Sequence, residues 1–119
     1  MKKDEQGYLR DLLERIQRIL NFTQPGKAAF FASQLTQDAV LRNFEVIGEI
    51  AKRLDKSFTD QHPEIAWRSM AAFRDVIIHD YEDLRLEIIW RTITDDLPTL
   101  YTAITTLLEN LETDDENQT

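Results

Sequence analysis

Apolar residues recur along this chain at steps of three and four, the period of a helix packed on one side. The first stripe is Leu9, Leu12, Leu13, Ile16, Ile19 and Leu20. Pro25-Gly26 then marks a break. A second stretch runs from about Lys27 to Leu54, with its clearest stripe at Val40, Leu41, Phe44, Ile47, Ala51 and Leu54. Ser33 can cap a new start inside it, which would make two pieces. The segment Asp55 to Ile65 is polar and holds His62-Pro63. The residue before a proline is pushed away from helix, so a turn or short helix is expected there. A third stretch covers about Ala66 to His79. A fourth begins near Leu84 and carries Ile89, Ile93, Leu97, Leu100, Ile104, Leu107 or Leu108, and Leu111. Pro98 lies inside that last pattern and should kink it.

Long helical stretches with short connections predict an all-α fold, an antiparallel up-and-down bundle of four to five helices. Residues 1–112 are expected to form a single helical domain. The tail from Thr113 to Thr119 is acidic and polar with nothing to bury, so it is expected to be disordered. With 42% hydrophobic residues and only three Gly and three Pro, the composition is that of a globular helical domain.

Charge and cysteine content narrow the chemistry. The absence of Cys rules out disulfides, thiolate catalysis and Cys-ligated zinc, and fits a reducing, cytoplasmic setting. The basic start Met1-Lys2-Lys3 is not followed by an apolar run, so no signal peptide is expected. No stretch approaches the length of uncharged apolar residues that a membrane span needs, so no membrane partner is expected. The net charge of −8 argues against a general nucleic-acid binder, and an RNA enzyme of this composition would need a local basic pocket. His62 and His79 lie far apart in sequence, and there is no Gly-rich phosphate loop. Asp75, Asp80, Glu82 and Asp83 cluster, but a solvated surface explains them better than a metal site. No metal and no cofactor are expected.

The segment Met70 to Tyr81 is the most informative. With Met70 at zero on a helical wheel, Phe73 falls near 300°, Ile77 near 340° and Tyr81 near 20°, each residue advancing about 100°. Arg74 falls near 40°, inside this apolar stripe, where a cation must snorkel, find a partner or serve a site. His79 falls near 180°, on the polar side. On one regular helix Arg74 and His79 would point apart. They can share a site if the helix ends near His79 or if a second subunit supplies the missing group. Plain structural roles account for each residue as well: an interfacial Arg paired with a carboxylate, a solvated His at a helix C-terminus, and a core-edge Tyr. As a site, the set has clear physics. Histidine moves protons near neutral pH, and arginine offers a forked cation to phosphate oxygens. RNA supplies its own nucleophile in the 2′-hydroxyl.

The spacing Arg74, four residues, His79, one residue, Tyr81 resembles the Arg-x4-His-x-Tyr signature of HepT-like toxins of the HEPN superfamily. The segments Arg42 to Leu54, His62 to Trp67, Leu86 to Trp90 and Asp96-Leu97-Pro98 are similar to that family's blocks in the same order. The resemblance implies a HEPN-like helical bundle that forms a homodimer, with the two motifs meeting across the dimer cleft. It implies a metal-independent endoribonuclease acting on an RNA substrate through Arg74 and His79, with Asp75 in a supporting role. It also implies a minimal nucleotidyltransferase antitoxin, MntA-like, that transfers AMP to Tyr81. The alternative is a non-catalytic HEPN module that binds a nucleotide or docks to a nucleotidyltransferase. Ala66 stands where relatives often carry Pro, which should affect only the turn before the third stretch.

Overall fold

Capping side chains set where the first and the third helix begin. In the computed structural model, which describes residues 4–117, the Asp4 carboxylate accepts from the Gly7 N–H at 2.8 Å and opens α1 (Glu5–Phe22). At its other end the Thr23 hydroxyl donates to the Ile19 carbonyl at 2.7 Å, satisfying one of the terminal carbonyls. Gly26 takes a φ of 105°, a conformation that side chains with a Cβ rarely adopt, and the chain turns there into α2 (Lys27–Ala32). The Ser33 hydroxyl accepts from the Thr36 N–H at 3.1 Å and starts α3 (Gln34–Arg53). The second apolar stretch is therefore two helices, divided at Ser33.

The polar connection holds the short helix α4 (Lys56–Asp60), followed by α5 (Trp67–His79). Between them His62 is structural: its ring lies 4.8 Å from that of Phe58, and its carbonyl accepts from Trp67 Nε1 at 3.0 Å. After α5 come a 3-10 turn (Tyr81–Asp83), α6 (Leu86–Arg91), a π-helical turn (Thr92–Asp96) and α7 (Leu97–Asn117). The expected interruption at Pro98 takes the form of that π turn. A proline ring collides with the carbonyl four residues back, here that of Thr94, and a wider turn makes room for it.

The C-terminal segment differs from expectation. α7 runs on through Thr113 to Asn117, where a disordered tail was expected from Thr113. Its polar residues find partners on α1: Glu112 pairs with Arg10 at 3.0 Å, and Asp115 accepts from Gln6. Gln118 and Thr119, the end of that tail, and residues 1–3 lie outside the described residues.

The long runs pack as an all-α bundle. Leu9, Leu12, Ile16 and Ile19 of α1 are fully buried. α3 lies between α1 and α5, and α7 packs along α1. The Arg10–Glu112 pair joins the start of α1 to the end of α7, so those helices are antiparallel. Likewise Asp38 near the start of α3 meets Tyr81 just beyond the end of α5.

α3 and α5 approach each other closely at Gly48. A Cβ placed on Gly48 would lie 2.2 Å from Arg74 Cβ and 2.8 Å from the Met70 carbonyl oxygen. Both are backbone or backbone-attached atoms, so no rotamer change relieves the clash. Any side chain at residue 48 must push the helices apart. Replacing Gly48 with Ala is therefore expected to lower the unfolding free energy by about 2 kcal/mol, with overpacking outweighing a helix-propensity gain of about 1 kcal/mol. Urea denaturation checks this; an unchanged or higher midpoint would show that the two helices tolerate separation.

Candidate active site

Arg74 is rooted where α5 lies on Gly48. Its Cβ and Cδ cover the bare backbone of α3, and its side chain is only 25% exposed. The guanidinium emerges at the α3–α5 seam among charges. Nη1 donates to Asp75 Oδ1 at 3.2 Å, and Nε lies 3.9 Å from Glu49 Oε1. At that length the contact with Glu49 is an ion pair without a hydrogen bond. Arg74 Nε is buried and makes no hydrogen bond.

The pairing continues along the seam. Lys52 Nζ donates to Asp75 Oδ1 at 2.6 Å, while Arg42 pairs with Glu45 at 3.2 Å and lies 3.8 Å from Glu49. Arg42, Arg74 and Lys52 thus alternate with Glu45, Glu49 and Asp75. The hydrogen bond from Lys52, with its positive charge and that of Arg74, holds the Asp75 carboxyl below its ordinary value. Asp75 is ionised, and it fixes one edge of the Arg74 guanidinium.

His79 is the last residue of α5 and is exposed. The helix ends there, with the Asp80 N–H donating to the Val76 carbonyl at 2.8 Å. The chain then enters the 3-10 turn, so Tyr81 does not continue the wheel position it would hold on a longer helix. Tyr81 is 47% exposed, and its hydroxyl donates to Asp38 Oδ1 at 2.8 Å. Gln34 Nε2 donates to the same carboxylate oxygen at 2.9 Å. The bond to the Asp38 carboxylate raises the Tyr81 phenol above its ordinary value, because a phenolate there would lose the hydrogen bond that the phenol donates and would face a negative charge.

Within one copy, therefore, these residues form no single cluster: Arg74 and Asp75 lie against Gly48, Glu49 and Lys52, and Tyr81 lies against Asp38 near the start of α3. Arg74 and Asp75 are tied together, Tyr81 is tied to α3, and His79 stands free at the helix end. Among the described residues no group of three or more His, Cys, Asp and Glu side chains is placed to hold a metal ion. A cavity of about 450 Å³ opens elsewhere, over Phe44, Ile47, Phe73 and Leu100, and the motif residues do not line it. Among the described residues no helix is long and apolar enough to cross a membrane.

Most of the chain is similar to proteins of one known family. The family model described as ribonuclease HepT-like matches residues 12–107. The chain belongs to the HepT-like ribonuclease family. A protein of Thermococcus cleftensis named "Probable ribonuclease HepT" is 40% identical over 101 residues, covering 84% of this chain and 92% of its own. A protein of Methanocaldococcus jannaschii named as a candidate RNase is 37% identical over 117 residues, covering 98% of this chain and 97% of its own. No solved structure matches the chain. The HepT-like span takes in Asp38, Gly48, Arg74, His79 and Tyr81.

Gly48, Glu49, Lys52, Gln34 and Asp38 carry no role in the sequence reading. A glycine inside a strong helical pattern is the one local signal among them, because it costs about 1 kcal/mol against Ala and so marks a close approach. The four polar residues become visible only once α3 is known to face α5.

The Lys52–Asp75 contact can be tested by titration. Lys52→Met should raise the Asp75 midpoint toward its ordinary value of 3.8, read from the carboxyl carbon by NMR. Since the folded-state value is the lower one, the pair stabilises the fold above the ordinary aspartate range. That contribution disappears as pH falls through the folded-state midpoint. An unmoved midpoint in the variant would remove Lys52 as the cause.

Proposed function

We propose that this chain is a ribonuclease toxin that cuts RNA without a metal ion. Two copies each contribute Arg74 and His79 to a composite site, and a minimal nucleotidyltransferase antitoxin silences that site by adenylylating Tyr81. The observation that carries the reading is the end of α5 at His79. It leaves an imidazole free in solvent beyond a cation whose stem is fixed against Gly48. Membership of the HepT-like family supplies the reaction class.

The chemistry follows from the side chains. One His79 takes the proton of a 2′-hydroxyl, whose oxygen attacks the adjacent phosphorus. The His79 of the second copy, protonated, donates to the 5′-oxygen as that bond breaks. Arg74 stabilises the charge that gathers on the phosphorane oxygens. Asp75 holds the guanidinium edge that is not presented to phosphate. AMP on Tyr81 adds bulk and a negative phosphodiester beside these groups and competes with RNA phosphate for the cation.

A second reading, a non-catalytic module that binds a nucleotide or docks to a nucleotidyltransferase, is favoured by one observation. Glu49 and Asp75 already compensate Arg74 in an acidic protein of net charge −8. Cleavage decides between the two. Protein free of AMP, incubated with transfer RNA and messenger RNA in chelator, is expected to cut. His79→Ala and Arg74→Ala should each slow cutting by about 100-fold or more. Activity that is absent, or unchanged in both variants, would leave the docking module.

Modification is read separately by intact mass. With the cognate nucleotidyltransferase and ATP, the wild-type chain should gain AMP, and Tyr81→Phe should lose the first addition. Addition that persists unchanged in Tyr81→Phe would remove this residue from the regulatory reading.

A further inference from the structure

Tyr81 needs more than exposure to act as a nucleophile. At neutral pH a phenol is protonated, and its oxygen attacks phosphorus well only as the proton leaves. The structure shows where that proton already points. The Tyr81 hydroxyl donates to Asp38 Oδ1 at 2.8 Å, a charge-assisted hydrogen bond between groups 43 residues apart in sequence. Asp38 is held in turn by the Gln34 amide, which donates to the same oxygen at 2.9 Å. Both belong to the first turns of α3, whose start is fixed by the Ser33 cap. The carboxylate is therefore placed by a helix, not by a mobile loop. The titratable and charged groups flanking Tyr81 on its own segment are His79, Asp80, Glu82, Asp83 and Arg85, all exposed, and from α3 Asp38 accepts its hydrogen bond.

We infer that Asp38 is the proton acceptor that activates Tyr81 for nucleotidyl transfer, with Gln34 as the residue that positions it. This rests on the proposed adenylylation of Tyr81 and names a group of this chain that takes part in it. In the step, the Tyr81 Oη–H bond breaks and its proton passes to Asp38 Oδ1. Oη forms a bond to the α-phosphorus of ATP bound by the transferase. The bond from that phosphorus to the bridging oxygen breaks, and pyrophosphate leaves with the electron pair. The substrate protein thus supplies the general base for its own modification. The raised value of the phenol agrees with this geometry, since Tyr81 keeps its proton, and its bond to Asp38, until an electrophile arrives.

Asp38→Asn separates the chemistry from the structure, because an amide oxygen can still accept from Tyr81 but cannot take its proton. Two assays read the effect. The first is the rate of AMP addition to the full chain by the cognate nucleotidyltransferase with ATP, followed by intact mass. The second needs no transferase: acetylation of Tyr81 by N-acetylimidazole, followed by peptide mass spectrometry against Tyr8 and Tyr101 as internal references. Asp38→Asn is expected to slow both at neutral pH, AMP transfer by about 100-fold. Its acetylation rate should climb with pH as phenolate forms, where the wild-type rate is flat across the neutral range. Thermal melts establish that the variant is folded. If Asp38→Asn matches the wild type in both rate and pH profile, the assignment of Asp38 is overturned. If the wild-type chain takes no AMP while the acetylation difference stands, the modification reading fails and Asp38 remains the proton acceptor of Tyr81.

Discussion

The contact between α3 and α5 at Gly48 is the constraint on which the rest of this molecule depends. A missing side chain lets two backbones approach until the Cβ of Arg74 fills the space a residue would have taken. Everything that follows in the site is a consequence of that proximity. The same approach brings Lys52 and Glu49 beside Asp75 and Arg74, and it carries the end of α5 to where Asp38 can meet Tyr81. A larger residue at 48 would not merely loosen a core; it would shift each of those polar contacts at once. Core packing and site geometry are here the same interaction.

Electrostatics shape the site differently from what the net charge implies. A protein of −8 should repel RNA at long range. Along the α3–α5 seam, however, acids and bases alternate, and each cation is close to neutralised by its neighbours. Exposed pairs of this kind contribute little to stability. What they do fix is orientation: Asp75 takes one edge of the guanidinium, so the remaining edge has a defined direction. In the proposed composite site a phosphate would have to compete with Glu49 for that edge, and its binding would be sensitive to salt.

Much of the fold was legible in the chain because helical periodicity is a local signal. The stripes at Leu9 to Leu20 and Val40 to Leu54 became buried faces, and Ser33 divided the second stretch. Pro98 disturbed its helix through a wider turn in the residues before it. The C-terminal segment was misread because its composition gives no hint of Arg10 and Gln6, whose proximity is a product of the antiparallel packing of α1 and α7. The same reason limited the site. Arg74, Asp75, His79 and Tyr81 sit within one short segment, and their spacing and family pattern could be read directly. Asp38, Gln34, Glu49 and Lys52 enter only through the pairing of two helices, and no single stretch of sequence encodes that pairing. The wheel angle that separated Arg74 from His79 was correct for a regular helix. The end of that helix determines how Tyr81 lies relative to both.

The hydrogen bond from Tyr81 to Asp38 has a mechanical side as well. α3 and α5 form a hairpin whose one end is joined by the chain itself, through α4. At the opposite end nothing covalent holds them, and the phenol of Tyr81 spans that gap to the first turns of α3. The hairpin is thus fastened there by a clasp whose tongue is a single proton. Local opening costs least where few buried contacts resist it. The proposed adenylylation of the Tyr81 oxygen would remove that proton and its bond to α3, and would leave the Gly48 contact at the middle of the pair untouched.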